Sequence, residues 1–181
     1  MQQTDLSSDF FSLFGLPVSF DIDTTALTAR YRELQRAVHP DKFVNASDSE
    51  RRLSMQVAAR VNEGYQLLKD PLARGRYLLE MRGVELNDAD TTVDKMFLME
   101  QMELRERLAE VKESNSPDRE LQGIKQEIAI HTKEITEQMG AMLQNEDPEV
   151  LQQAIELTRK LQFFKRLKEE VEELEESLVE L

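Results

Sequence analysis

The sequence predicts an all-α protein built from two modules, and three observations carry that expectation. The abundant residues are Leu, Glu, Gln, Arg, Lys and Ala, all good helix formers, while the 181 residues include only six glycines and five prolines. Apolar residues recur at three- and four-residue spacing through most of the chain. The charge is divided: residues 1–83 hold 11 Lys/Arg and 11 Asp/Glu, whereas residues 84–181 hold 12 and 25. The whole net charge of −13 therefore lies in the second half, which marks two chemically different stretches. A chain of this length suits one ordinary domain or two small ones.

The first helix is short. It lies within "SDFFSLFGLP", residues 8–17, where Ser8 or Asp9 can cap it, Gly15 can end it and Pro17 follows. Its apolar residues Phe10, Phe11, Leu13, Phe14 and Leu16 must pack on something, because so short a helix does not stand alone in water. The second runs from about Asp23 to Val38, with Leu27, Tyr31, Leu34 and Val38 on one face and Arg30, Arg32 and Arg36 off it. Pro40 ends it, since proline lacks the N–H and disfavours helical geometry at His39. A third begins near Ser47 or Asp48 and runs to Lys69, with Leu53, Val57, Val61, Tyr65 and Leu68 as its buried side. A fourth, short helix follows "DP" at 70–71, carries Leu72, Tyr77, Leu78 and Leu79, and stops at Gly83.

"GVELNDADTT", residues 83–92, is polar and turn-rich and reads as the boundary. The resulting division is a first module over 1–83 with a core at about 9–82, a linker over 84–92, and an acidic second module over 93–181. Three longer helical patterns fill the second module. One spans about 93–113 and ends at "SNSPD". The next spans about 118–143, with Leu121, Ile124, Ile128, His131, Ile135 and Met142 on one stripe, and "NEDP" breaks it. The last spans about 148–179, with Leu157, Leu161, Phe164, Leu167, Val171, Leu174 and Leu178 at nearly heptad spacing. Three amphipathic helices joined by short connections predict an antiparallel three-helix bundle.

Composition excludes several classes of chemistry. The chain has no cysteine, which removes disulfides, thiolate metal sites and cysteine nucleophiles. Its two histidines cannot support an ordinary zinc site. His131 has Ile128 three residues before it, so the paired Glu-x-x-His motif of a di-iron bundle is missing, and it reads as a histidine at the edge of the core. No Gly-rich phosphate loop or nucleophile–base pair stands out. The expectation is a protein that is not an enzyme and holds no metal or cofactor. An acidic excess argues against nucleic acid as partner. No stretch approaches the roughly 18 consecutive apolar residues of a membrane helix. The opening "MQQTDLSSDFF" has neither a basic nor an apolar leader region, so a cytosolic protein without membrane contact is expected.

Two stretches stand out as binding surfaces. "HPD", residues 39–41, fills the gap between the second and third helices. Alone it reads as a turn, in which Pro supplies a fixed φ, Asp caps and His ends a helix. In "MFLMEQMELRERLAEV", residues 96–111, Phe97, Leu104, Leu108 and Val111 form the core stripe, while Leu98, Met99 and Met102 point away from it. Met99, Glu103, Glu106 and Glu110 run along one exposed line, giving an apolar patch rimmed by acids. Such a patch is either a protein-binding surface, for which methionine is adaptable, or is covered by a neighbouring element.

The first module resembles a J-domain. The strings that carry the resemblance are "FFSLFGLP" at 10–17, "ALTARYRELQRAVHPDKF" at 26–43 and "VNEGYQLLKDPLARGRYL" at 61–78. That resemblance implies a co-chaperone which docks on a seventy-kilodalton heat-shock chaperone and stimulates its ATP hydrolysis. It assigns chaperone contact to His39, Pro40 and Asp41, with Arg30, Arg32, Arg36 and Lys42 as a basic patch suited to steering toward an acidic partner. "FLMEQMELRE", followed later by "RKLQFFKRLKEEVEELEE", extends the similarity to the HscB family, J-type co-chaperones of iron–sulfur cluster biogenesis. The implied partners are an HscA-type chaperone and an IscU-type cluster scaffold. The implied scaffold surface is Leu98, Met99, Met102, Glu103, Arg105, Glu106 and Glu110, with Phe163 from the last helix at the edge of its stripe. Met102 stands where the family pattern carries leucine, a change that nearly conserves volume. The N-terminal cysteine-rich segment and transit peptide of many eukaryotic relatives are missing, so a bacterial, cytoplasmic type working as a monomer is expected. The competing expectation is a general J-protein for unfolded clients, against which no Gly/Phe-rich linker or Cys-rich module follows residue 83.

Overall fold

The computed structural model describes residues 8–43, 46–86 and 94–179. Among them the regular structure is helical, with no strand. The chain divides into two compact units, Met1–Met81 and Arg82–Leu181. Part of the expected 84–92 linker, from residue 87 onward, lies outside the described residues. Among the described residues no helix is long and apolar enough to cross a membrane.

In the first unit, α1 (Phe10–Phe14) is one turn and a half, opened by Asp9 and closed by Gly15 at φ 64°. Glycine takes that left-handed conformation without steric cost. Helix α2 (Thr24–Ala37) starts where the Asp23 carboxylate accepts from the N–H groups of Thr25 and Ala26. Helix α3 (Asp48–Lys69) starts at a capping box, with Ser47 and Glu50 each satisfying the other's backbone N–H. Helix α4 (Pro71–Met81) follows directly, with proline at its first position, where no donor is lost. Tyr31 stacks on Tyr65 at 4.0 Å and donates its hydroxyl to Asn62, and Gln35 also donates to Asn62, so α2 and α3 run antiparallel. Phe11, Phe14, Leu27, Val61, Leu68, Leu78 and Leu79 are almost fully buried and form the core.

The buried side of α3 differs from the expectation at two places. Leu53 is 52% exposed, and Ser54 is buried in its stead. Gly64 is buried beside Tyr65, which is only half-buried. The true stripe is Ser54, Val57, Val61, Gly64 and Leu68, and at Gly64 the rings of α1 approach the helix backbone.

The second unit holds α5 (Lys95–Glu110), a 3-10 turn at Val111–Glu113, α6 (Pro117–Met142) and α7 (Pro148–Val179). Its ion pairs fix the register. Glu100 meets His131 and Arg107 meets Glu127, so α5 and α6 are antiparallel. Lys125 meets Glu175, so α6 and α7 are antiparallel as well. Arg105 meets Glu170 and Lys160 lies over Phe97, which makes α5 and α7 parallel. Phe97, Leu104, Leu108 and Val111 are all buried. On α6, Met139 is fully buried while Met142 is half-buried, since the stripe continues in steps of four and then turns inward at Gly140. On α7, Leu157, Leu161, Phe164, Leu167 and Val171 are buried, and Leu174 and Leu178 are half-buried. Arg82 belongs to this unit, donating to the carbonyls of Leu143 at 2.6 Å and Asn145 at 3.0 Å.

Candidate functional site

In the first unit, Val38 is buried and pins the end of α2, and the 3-10 turn Pro40–Phe43 follows at once. The Lys42 amide donates to the His39 carbonyl at 3.0 Å, which closes that turn. His39 and Asp41 are held outward, their side chains 59% and 85% exposed. The His39 Nδ1 lies 3.3 Å from the Asp41 amide and 3.4 Å from Asp41 Oδ2. A single ring nitrogen serves one of these at a time: unprotonated it accepts the amide N–H, protonated it donates to the carboxylate. Arg32, Gln35, Arg36, His39, Asp41 and Lys42 line one open groove of about 740 Å³. Arg36 Nε donates to the Arg32 carbonyl at 3.2 Å, which aims its guanidinium along the groove. Arg30 is exposed but stands outside the groove lining and pairs with Glu33 at 2.9 Å. Five of the seven expected residues therefore come together as groove wall, Pro40 begins the turn that shapes it, and Arg30 is partly neutralised. Gln35, absent from the expected set, completes the wall. Its i+3 and i−3 relation to Arg32 and Val38 is the signal that could have placed it.

In the second unit, Leu98, Met99 and Met102 are 48%, 69% and 65% exposed. Glu103, Arg105, Glu106 and Glu110 are exposed along the same helix. Met96, three residues before Met99, is 76% exposed and extends the patch, a position that the sequence reading passed over. Phe163 is different. It is buried, packed edge-to-face on Phe97 at 5.5 Å and against Phe164 at 5.2 Å, with the Arg105 guanidinium 5.8 Å above its ring. The edge of a stripe on a helical wheel becomes interior here, because α5 lies directly over it. Phe163 therefore supports α5 from beneath and forms the wall of a neighbouring cleft. His131 is half-buried, its ring stacked on Phe164 at 5.1 Å and its Nε2 3.1 Å from Glu100, as a core-edge histidine should be. Asp9 and Glu50 both have carboxyls held below the ordinary range. For Asp9 burial works against the charge, but the hydrogen bonds from Ser12 outweigh it; for Glu50 the Ser47 hydroxyl is the main cause.

The groove beside His39 and Asp41 and the apolar patch of α5 are both open to solvent.

Comparison with known proteins agrees with that geometry. A family model described as the HSCB C-terminal oligomerisation domain matches residues 93–172. The co-chaperone protein HscB homolog of Shewanella loihica is 45% identical over 171 residues, covering 94% of this chain and 99% of its own. The homolog of Shewanella halifaxensis is 44% identical over 171 residues, covering 94% and 98%. The solved structure of chaperone HscB from Vibrio cholerae superposes with a TM-score of 0.84 at 39% identity, covering 94% of this chain and 99% of that one. The crystal structure of human co-chaperone protein HscB gives 0.83 at 33% identity, covering 94% and 84%.

Proposed function

Because the chain belongs to the HscB family of co-chaperones, we propose that it delivers a client to a specialised seventy-kilodalton heat-shock chaperone of HscA type, the client being the IscU-type scaffold on which iron–sulfur clusters are built. The first module, expected over residues 1–83 and ending as a compact unit at Met81, docks on the chaperone. Asp41 accepts a charge-assisted hydrogen bond from a partner cation, and Arg32, Arg36 and Lys42 steer the approach to an acidic face. The bundle, over residues 93–181, holds the scaffold through Leu98, Met99 and Met102, with Glu103, Arg105, Glu106 and Glu110 setting register at the rim. The chain carries no reaction of its own, works in the bacterial cytoplasm and acts as one copy.

The observation that carries this reading is the exposure of three large apolar side chains side by side on α5 in a helix whose core stripe is already fully used. Monomeric proteins seldom leave such a cluster uncovered without a partner.

The test is the steady-state ATPase rate of the HscA-type chaperone with scaffold present, using material whose mass in solution is that of one 21.0 kDa chain. Wild type is expected to stimulate. Asp41→Ala is expected to lose stimulation, and Met99→Ala/Met102→Ala to require about tenfold more protein for the same rate, as expected when two interface anchors are truncated. No stimulation by wild type would remove the docking role. A double variant indistinguishable from wild type would move the scaffold surface off α5.

A further inference from the structure

A cation-lined cleft lies between α5 and α7 that neither the core nor the α5 patch requires. Its volume is about 400 Å³, and Arg105, Arg159, Lys160 and Arg166 line it with Phe97 and Phe163, four cations against the two carboxylates Asp94 and Glu156. Such a site is unexpected in a stretch with a net charge of −13. Of the 12 Lys/Arg in residues 84–181, five fall within residues 159–168, "RKLQFFKRLK", and that decapeptide contains no acid. A solvated helix face in an acidic bundle would interleave its signs, whereas here the cations are gathered in residues 159–168 and residues 169–181 carry acids alone.

The cations differ in how far they are already spent. Arg105 pairs with Glu170 and Arg159 with Glu156. Among the described residues, neither Lys160 nor Arg166 has a carboxylate partner; the Lys160 ammonium sits 5.1 Å over the Phe97 ring instead. Two unspent positive charges therefore face an aromatic floor, an arrangement that attracts an anion while leaving its aliphatic part apolar contact. Lys160 and Phe97 also line the adjoining cleft with Met96, Met99 and the carboxylates Asp94, Glu100 and Glu103, so the site is continuous with the exposed methionines of α5.

We propose that this cleft receives an acidic segment of the protein partner that covers the α5 methionines, a carboxylate side chain entering between Lys160 and Arg166. The inference rests on the bundle being the scaffold-binding module, and it adds the partner's chemistry there: an apolar contact flanked by at least one Asp or Glu. It also divides the surface by sign. The Glu103–Glu106–Glu110 line of α5 meets cations of the partner, and the α7 side meets its anions, which fixes one orientation and rejects the reverse.

Binding of IscU-type scaffold protein to the intact chain, measured by calorimetry at about 50 mM and about 300 mM salt, tests it, because exposed charge pairs are screened over that range. Lys160→Gln/Arg166→Gln should bind about fivefold to tenfold more weakly at the lower salt and lose part of the salt dependence, as expected for two partly exposed charges. Arg166→Glu alone, at an exposed position, should weaken binding further than Arg166→Gln. Helical circular dichroism and stimulation of the chaperone without scaffold should match wild type in all three. Wild type that fails to bind scaffold at all would remove both the module's role and the cleft's. Wild type that binds while the variants keep its affinity and salt slope would overturn the cleft alone, and so would tighter binding of a polyanionic oligonucleotide than of scaffold.

Discussion

Arg74 keeps a guanidinium inside the first unit at 6% exposure. Its Nε donates to the Phe20 carbonyl at 2.7 Å and its NH1 to the Leu68 carbonyl at 2.5 Å, and the group lies 4.8 Å over the Phe20 ring. One side chain thus ties the loop after α1 to the C-terminal turn of α3, whose last carbonyls have no intrahelical donors. Burial pushes its pKa below the ordinary arginine value, with Asp21 and Asp70 working in the opposite direction. Arg74→Met keeps much of the volume but leaves two buried carbonyls unpaired, and should cost about 2–4 kcal/mol of unfolding free energy by urea denaturation. A loss below about 0.5 kcal/mol, as for an ordinary surface change, would show that other donors take over. Asp9 works on a smaller scale. Its carboxylate accepts from the Ser12 amide at 2.9 Å and the Ser12 hydroxyl at 2.6 Å, capping α1. Its folded pKa is lowered, so the stabilisation is fully present above the unfolded carboxylate pKa and is lost as pH falls through the folded one. Asp9→Ala should therefore cost about 1 kcal/mol at neutral pH. That difference from wild type should shrink on acidification below about pH 4, once the wild-type carboxyl takes a proton. A deficit that stays constant down to the lowest pH would place the cap's worth in packing rather than in charge.

Helices α1 and α3 meet where Gly64 removes a side chain. A Cβ built there would stand 2.5 Å from Phe10 Cδ1 and 3.0 Å from Phe14 Cε2, inside the contact distance of real side chains. Alanine would gain roughly 1 kcal/mol of helix propensity at an unstrained interior site. Here the rings of α1 would have to shift, and overpacking of this kind costs about 1–3 kcal/mol. Gly64→Ala should therefore destabilise by about 1 kcal/mol net, read as a lower thermal midpoint, while an unchanged or raised midpoint would mean that α1 yields freely. The same contact explains what the sequence left hidden. Every helix was legible, and the caps Asp9, Asp23 and Ser47 fall at positions the capping rules select. What periodicity could not supply was the true stripe of α3, because a hydrophobicity reading ranks Leu53 above Ser54 and Tyr65 above Gly64. Close approach of the aromatic helix α1 reverses the choice at Gly64. Phe163 is buried for a related reason. Two adjacent phenylalanines straddle the boundary of a stripe, and only the partner helix decides which is covered; here α5 covers both, through Phe97. The exposure of the α5 methionines was legible because the core stripe Phe97–Leu104–Leu108–Val111 is complete without them.

At the scale of the whole chain, the neutral first half and the acidic second half present opposite surfaces: a groove walled by Arg32, Arg36 and Lys42 in one unit, and a methionine patch lined by Glu103, Glu106 and Glu110 in the other. Neither surface uses a residue of the other unit, and each unit has its own buried core. On the proposed function, covalent joining is what turns two binding modules into a delivery device. When one end holds the scaffold, the other is confined to a small volume around it, at an effective concentration on the order of millimolar for a short connection. The cut that tests this must respect Arg82, whose bonds to the Leu143 and Asn145 carbonyls hold the α6–α7 connection and place it with the bundle. A protease site introduced between Met81 and Arg82 would leave both sets of contacts intact. With scaffold present, the cleaved pair should need at least about tenfold more protein than the intact chain to half-saturate chaperone stimulation, since the loss of linkage removes the effective-concentration advantage. Without scaffold, the intact and cleaved forms should stimulate alike, because the groove is untouched. Equal potency of the two forms with scaffold present would mean that the modules act one after the other, in which case linkage contributes nothing to delivery.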